Sequence, residues 1–436
     1  MEFVDNLKKD EYEKFLLKSS SAHFMQSYDF GQIRKVKNFT PIYVGLKDKN
    51  KLVCTALLLK KKLIGKYCYY YVPRGYTIDY KNLDLLKEFT KYLYQYAKKN
   101  HALFIKIDPD IKRHTLDIGG NIIDGENNGD LVDYLKKLGY KHLGYNKGFE
   151  NEQPRFTFRL ALDKDFDEIY SNFHATTRKI LNKGNKYNLD VYNGDIKDID
   201  DFYLTMKETA KREGILQAPI DYYKTFYEVF NKDDYSDLYV VKGNINKIKE
   251  TINSNMNEIK NDIDRIKNNP DKVKGANKIH DLEKQLEKLD SQYKSLDEIK
   301  DDDVVLSSII TVKYKDRVWT VHGGNNSCLM ELNANYLLYY TIIKDAYDAG
   351  YKKIDSTLRG NAGIEIIALL EILKKDVAIV APAYIEENRT TIGGYQLLNG
   401  IPIERTQVAL DPKSPITESY IPNILKKDIN SQLHEL

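Results

Sequence analysis

YYYVPRGYTIDYKNLDLLKEFTKYLYQYAKKNHALFIKIDP, residues 69–109, reads as strand, turn, amphipathic helix and strand, ending on an Asp-Pro pair. The aromatic and apolar run Tyr67 to Val72 suits a buried strand. Pro73-Arg74-Gly75 breaks it, because proline lacks the ladder donor and glycine tolerates positive φ. Leu83, Leu86, Phe89, Leu93 and Tyr96 then recur at steps of three and four, predicting a helix with Lys87, Lys91 and Lys98 turned to water. Asn100 is a stop signal. Leu103, Phe104, Ile105 and Ile107 return as a short strand with little alternation, which predicts a sheet covered on both faces. The strand ends at Asp108.

Upstream, Ile42 to Leu46 and Leu52 to Leu59 read as a strand pair joined by the polar turn Lys47-Asp48-Lys49-Asn50. A similar pair, Asp237 to Val241 and Val304 to Val312, brackets a segment of different texture from Asn244 to Lys300. There Ile245, Ile248, Ile252, Met256, Ile259, Ile263 and Ile266 step by three or four. Asn268-Asn269-Pro270 and Gly275 interrupt, and Ile279, Leu282, Leu286, Leu289, Tyr293 and Leu296 resume. The pattern predicts an antiparallel coiled-coil hairpin whose arms project on the order of 30 Å from the body. Beyond it come a strand at Val318 to Val321, a turn at Gly323-Gly324, a helix from Leu332 to Tyr347 and a short strand closing at Asp355. Asn82-to-Asp108 and Asn333-to-Asp355 thus read as two copies of one α/β unit.

A chain of 436 residues exceeds one ordinary core, so two domains are expected. The net charge of +3, from 67 basic and 64 acidic residues, excludes a uniformly basic nucleic-acid binder and confines any RNA contact to local patches. Cys54, Cys68 and Cys328 lie in strand-like runs without metal-ligand spacing, which predicts buried free thiols and a reducing compartment. No run of about 18 apolar residues occurs, and the N-terminus MEFVDNLKKDEYEK lacks a signal-peptide apolar region. A soluble cytoplasmic protein is the expectation.

Six further pieces form one pattern. They are Met25-Gln26-Ser27-Tyr28 with Phe30 and Arg34; Tyr71-Val72-Pro73-Arg74-Gly75 with Asp79; Ile107-Asp108-Pro109; Gln153-Pro154-Arg155; Arg178-Lys179; and Glu208 to Gly214. Over roughly residues 1–360 the chain resembles the Fem and Mur peptidoglycan-branch aminoacyltransferases. The resemblance implies an α/β fold of two acetyltransferase-like domains, with a coiled-coil arm like that of seryl-tRNA synthetase inserted in the second. The first domain would span 1–152, the second 153–243 and 301–436, and the arm 244–300. The implied reaction moves an amino acid from its tRNA ester to the stem-peptide amine of a peptidoglycan precursor, lipid II or UDP-MurNAc-pentapeptide. The implied partners are aminoacyl-tRNA, that precursor, the inner membrane face, where the protein would sit peripherally, and a homologous Fem protein.

An amine attacking an activated ester needs orientation, proton removal and a donor for the oxyanion, but no metal, cofactor or covalent nucleophile. HExxH, GxSxG and GxxxxGK[ST] are absent from the sequence. Asp108, at a strand's end, is the candidate to accept the proton or orient the amine; its competing reading is a cap on the turn before Pro109. The resemblance places cations for the precursor's diphosphate and carboxylates at Arg34 and Arg212, with Arg74 a weaker candidate. For tRNA the candidates are Arg178, Lys179 and Lys183, with Lys186, Lys60-Lys61-Lys62 and the arm lysines as further basic clusters.

The chain departs from the family after Asp355, where a Phe-Lys pair in a glycine-flanked segment is expected and Leu373-Lys374 stands. Lys374 inherits a role at the developing charge only through that position. Arg359-Gly360-Asn361-Ala362-Gly363 ahead of an apolar run resembles a pyrophosphate loop, which keeps open an acyl-CoA-dependent N-acyltransferase. A scaffold that binds RNA or a partner helix through the arm is the non-enzymatic alternative.

Overall fold

The computed structural model describes residues 1–117, 121–144, 153, 157–213, 216–268, 272–299, 301–356, 389–392, 395–398, 401–402 and 405. Two sheets of nearly identical topology organise it. The first runs β1 (Glu2–Val4), β2 (Thr40–Asp48), β3 (Lys51–Lys62), β4 (Cys68–Val72) and β5 (Ala102–Ile107), in that spatial order. All neighbours are antiparallel except β4 and β5, which are parallel. In the second, β9 (Asp190–Gly194), β10 (Ser236–Asn244), β11 (Asp303–Tyr314), β12 (Arg317–Asn325) and β13 (Lys353–Ser356) repeat that order and that one parallel pair. Strand β8 (Phe158–Ala161) is added antiparallel on the outer side of β13. The first β2–β3 turn uses Lys49 and Asn50 at φ 47° and 64°, a left-handed pair suited to a two-residue hairpin.

The repeat predicted from Asn82–Asp108 and Asn333–Asp355 is therefore present as two parallel strand–helix–strand crossovers. Helix α3 (Leu83–Lys99) joins β4 to β5. Asn82 caps it through a side chain accepting from Leu85 N–H, and Leu85, Leu86, Phe89, Leu93 and Ala97 are buried on the sheet. Helix α11 (Ala334–Asp348) joins β12 to β13, and Gly350 at φ 80° lets the chain leave it.

Two details differ from the sequence reading. Strand β5 is an edge, not a covered strand, with Leu103 60% and Phe104 52% exposed. Gly323-Gly324 is not a turn, because β12 runs through it to Asn325. The glycine is needed for close approach: a Cβ on Gly324 would lie 2.5 Å from the backbone of Thr205 on helix α7 (Ile199–Glu213).

The remaining helices join the halves. Helices α1 (Lys9–Lys18) and α2 (Tyr28–Arg34) pack with α7 and α8 (Ile220–Asn231) around one apolar cluster that takes residues from both sheets, including Tyr12, Phe24, Phe39, Tyr71, Phe226, Phe230, Tyr314 and Trp319. Lys9 bridges Asp29 and Asp233, and the Tyr314 hydroxyl donates to Glu13 at 2.6 Å, tying residue 13 to residue 314. A second cluster under α3 also takes Leu131, Tyr134 and Leu135 from α4 (Gly129–Lys137), which follows a small β6–β7 hairpin (His114–Leu116, Ile122–Asn127). The third cluster lies under α11, beside α5 (Phe166–Ser171) and α6 (Ala175–Gly184).

The inserted segment forms α9 (Ile245–Lys267) and α10 (Lys272–Ser295), which pack on each other between β10 and β11. Its base does not stand off the body as predicted. Ile245, Ile248, Ile252, Met256, Leu289 and Leu296 belong to the third cluster, so the apolar stripe is continuous with the core. Further on, β14 (Arg389–Ile392), β15 (Tyr395–Leu398) and β16 (Ile401–Pro402) pair with one another. Cys54 and Cys68 are buried thiols, and burial pushes the Cys54 thiol up to about 12. Among the described residues no helix is long and apolar enough to cross a membrane.

Candidate active site

Two of the sequence pieces touch, although Gln26 and Arg74 stand 48 residues apart. Met25 and Gln26 lie in a single helical turn ahead of α2, with Gln26 almost fully buried. Its Oε1 accepts from His23 N–H at 3.1 Å, and its Nε2 donates to the carbonyls of Arg74 (3.1 Å) and Gly75 (3.0 Å). Those two residues take left-handed φ values of 58° and 73°. At Gly75 a Cβ would meet the Tyr80 hydroxyl at 2.5 Å and Pro109 Cα at 2.9 Å, so no larger residue fits.

Asp108 completes this turn. Its Oδ1 accepts from Arg74 N–H at 2.6 Å and its Oδ2 from the Tyr71 hydroxyl at 2.7 Å. The carboxylate therefore clamps the 73–75 turn of the neighbouring strand, whereas the competing structural reading from sequence had it capping its own turn before Pro109. It sits at the carboxyl end of the parallel β4–β5 pair, where α/β folds present side chains to a cleft.

The same sheet face carries an aromatic track toward Arg34. Tyr69, two residues before Tyr71, stacks on Phe104 at 5.0 Å and meets Phe39 edge-on at 6.5 Å. The Arg34 guanidinium lies 4.9 Å from the Phe39 ring centre and the Lys61 ammonium 4.7 Å, so one ring is flanked by two cations. Arg74 and Asp108 thus meet at one end of the first sheet, while Arg34 sits apart from them beside Phe39 and Lys61. Arg212 stands at the end of α7, donating to Glu213 at 2.9 Å and to Ser327 Oγ at 3.2 Å.

The second copy holds its terminal carboxylate differently. Asp355 is buried and paired with Arg159 Nε at 2.5 Å and Arg317 Nη1 at 3.6 Å. Next to Arg317, Trp319 packs on His23 and Phe24 of the first half. Burial pushes the His23 imidazole down to about 3. The ring is neutral, as its Nδ1 accepting from Met25 N–H also requires. Asp110 is an exposed residue whose carboxyl is partly desolvated, which pushes it up. The guanidinium charges of Arg74, Arg159 and Arg317 help to outweigh that and hold it below the ordinary range. None of Gln26, His23, Asp110, Arg159 or Arg317 had been singled out as a functional residue from sequence; the only signal was Gln26's place in the Met25–Tyr28 piece and Asp355's equivalence to Asp108.

Arg178, Lys179 and Lys183 lie together on α6. Lys179 and Asn182 of that helix line an open cavity of about 620 Å³, closed on its other sides by Asn255 and Glu258 of α9 and by Gln285, Lys288 and Gln292 of α10. Lys288 pairs with Glu331 at 3.4 Å. The Gln292 amide nitrogen is buried there with no hydrogen-bond partner among the described residues. Lys374 and the Arg359–Gly363 segment lie outside the described residues.

Two acetyltransferase-like halves of matching strand order are fused through one core, and the first carries the clamped turn of Asp108 and Arg74 at the end of its parallel strand pair. The chain belongs to the FemAB family, whose model matches residues 7–357. That match ends two residues after Asp355, where the sequence pattern itself departs. A second model, described as a sugar-binding N-terminal domain, matches residues 334–436. Among curated proteins the chain is similar to the lipid II:glycine glycyltransferase of Staphylococcus epidermidis, 22% identical over 356 residues, covering 80% of this chain and 83% of that one. The enzyme of the same name from Staphylococcus aureus is 24% identical over 361 residues with the same coverage. A crystal structure of FemX shares the fold with a TM-score of 0.62 at 23% identity, covering 83% of this chain and 89% of that chain.

Proposed function

We propose that this protein is a transferase that forms a peptide bond, moving an amino acid from aminoacyl-tRNA to the stem-peptide amine of a peptidoglycan precursor. The observation that carries the reading is the joining of the Met25–Tyr28, Tyr71–Gly75 and Ile107–Pro109 pieces into one clamped turn, in a chain of the FemAB family. The acceptor is lipid-linked, as in the name of the staphylococcal relatives. Asp108 orients the attacking amine, and Arg34, Arg74 and Arg212 bind the acceptor's anionic groups. The α6 cations Arg178, Lys179 and Lys183, beside the amide-lined groove at the base of α9 and α10, contact the tRNA. Residues 1–152 form the first domain, and 153–243 with 301–436 the second.

The test offers purified protein charged tRNA with a lipid-linked or nucleotide-linked precursor, and in parallel acetyl-CoA with the same acceptors. Amino-acid transfer from tRNA supports the reading; acetyl transfer alone replaces it with the acyl-CoA alternative. For residues 334–436 a second reading applies, since the sugar-binding model covers them: this segment contacts the carbohydrate of the acceptor. Titration calorimetry with the precursor's amino sugars, on the full chain and on a chain ending at residue 356, checks it.

A further inference from the structure

At the end of the first sheet opposite Asp108 and Arg74, the surface changes character. The β3–β4 loop, Leu63-Ile64-Gly65-Lys66-Tyr67, is closed by Leu63 N–H to Tyr67 O (3.0 Å) and Tyr67 N–H to Ile64 O (3.1 Å). It projects into solvent: Gly65, at φ 57°, has open space around its Cβ position, and Ile64 is 81% exposed. Tyr67 approaches the His101 ring at 6.5 Å, which joins the loop to the start of β5 and its exposed Leu103 and Phe104. Apolar side chains of this size are thus collected at one rim.

The rim is also uniformly basic. No acidic residue occurs between Asp48 and Asp79, or between Glu88 and Asp108, the two stretches that supply it. Lys62 and Lys66 flank the loop, and Lys98 and Lys99 end the adjacent helix α3, all exposed. Lys61 reaches the carbonyl of Lys37, which draws in the exposed Lys35-Val36-Lys37 segment. Protruding apolar residues within a ring of lysines are the composition that binds an anionic bilayer surface. A purely RNA-binding patch has no use for an isoleucine and a leucine at its tip.

We propose that this rim is a membrane-docking surface for anionic phospholipid, with Leu63 and Ile64 entering the headgroup region. The inference rests on the reading of the acceptor as membrane-borne, and it supplies the geometry that reading needs. Strands β4 and β5 run from the rim to the turn that holds Asp108, and six residues of strand span about 20 Å. Docking at the rim therefore holds Asp108 on the order of 20 Å above the lipid surface. A diphosphate, a sugar and a few stem residues at about 3.4 Å each bridge such a height.

Cosedimentation of the full chain with phosphatidylcholine vesicles, with and without phosphatidylglycerol and with no substrate present, tests it. Binding is expected only to the anionic vesicles, and 0.5 M salt weakens it strongly. Lys62→Ala with Lys66→Ala lowers the partition coefficient on the order of 25-fold, at roughly fivefold per lysine. Ile64→Asp abolishes binding while the melting temperature and transfer to a soluble nucleotide-linked acceptor stay unchanged. Equal pelleting of wild type and Ile64→Asp overturns the proposal. So does an Ile64→Asp effect confined to tRNA affinity, or to a dimer–monomer shift in sedimentation velocity with vesicle binding intact. Vesicle binding without any amino-acid transfer would instead refute the proposed reaction and leave the docking surface standing.

Discussion

Replacing Gln26 by alanine separates the architecture of the Asp108 turn from its chemistry. The side chain makes three hydrogen bonds at a buried site: one accepted from His23 N–H and two donated to Arg74 and Gly75 carbonyls. At a net worth of about 1 kcal/mol each, their loss costs about 3 kcal/mol, and more if the two carbonyls stay dry. Gln26→Glu is worse, because it keeps the acceptor for His23 but sets a carboxylate against two carbonyl oxygens. The turn that both substitutions loosen positions Arg74 and receives Asp108, so the acceptor KM rises before the protein unfolds. Urea denaturation followed by circular dichroism, together with acceptor titration in the transfer assay at 25 °C, reads both effects. A stability change under about 0.5 kcal/mol with unchanged KM would refute the clamp.

Asp108→Asn keeps an oxygen for Arg74 N–H, so the fold is held to within about 1 kcal/mol while turnover falls at least 100-fold; a loss under threefold in single-turnover transfer makes Asp108 purely structural. His23 has its folded value depressed to about 3, so the unfolded chain takes up the proton first as pH falls. Its contribution is whole above pH 6.5 and is lost at about 1.4 kcal/mol per unit below it, about 2 kcal/mol by pH 5. Melting curves at pH 7 and 5 should show that slope flattened in His23→Asn, and equal slopes contradict it. Removing only the distal arm, residues 260–281, leaves the melting temperature in place and weakens tRNA binding. Removing 245–299 takes Ile248, Ile252 and Leu296 from the core and lowers it, as scanning calorimetry will show.

The α3 crossover and both hairpins were legible because their signals are local: a 3.6-residue stripe, an Asn cap, a polar two-residue turn. What sequence misjudged depended on neighbours. Whether Leu103 and Phe104 are covered depends on β5 being outermost, which no period reveals. Gly323-Gly324 carries a turn's composition, but Gly324 answers to the backbone of α7, which crosses against it from over a hundred residues earlier in the chain. At the site, the recurring pieces pointed to Asp108, Arg34 and Arg74. The partners that fix Arg74 and Asp108, namely Gln26 and Tyr71, were visible only as members of a pattern. Arg159 and Arg317 gave no signal, since a lone arginine in a strand looks the same whether it faces water or a buried carboxylate 38 or 196 residues away.

The core shared between the halves also sets a schedule for biosynthesis. Tyr12, Phe24, Phe30 and Phe39 are covered in part by Phe230, Tyr314 and Trp319, yet the first sheet is complete once Ile107 has been made. About 210 further residues must leave the ribosome before Trp319 arrives, which takes roughly 10–40 s at 5–20 residues per second. For that interval the nascent first half presents an aromatic face to the cell, so a chaperone-depleted strain should accumulate aggregated chains truncated between those two points.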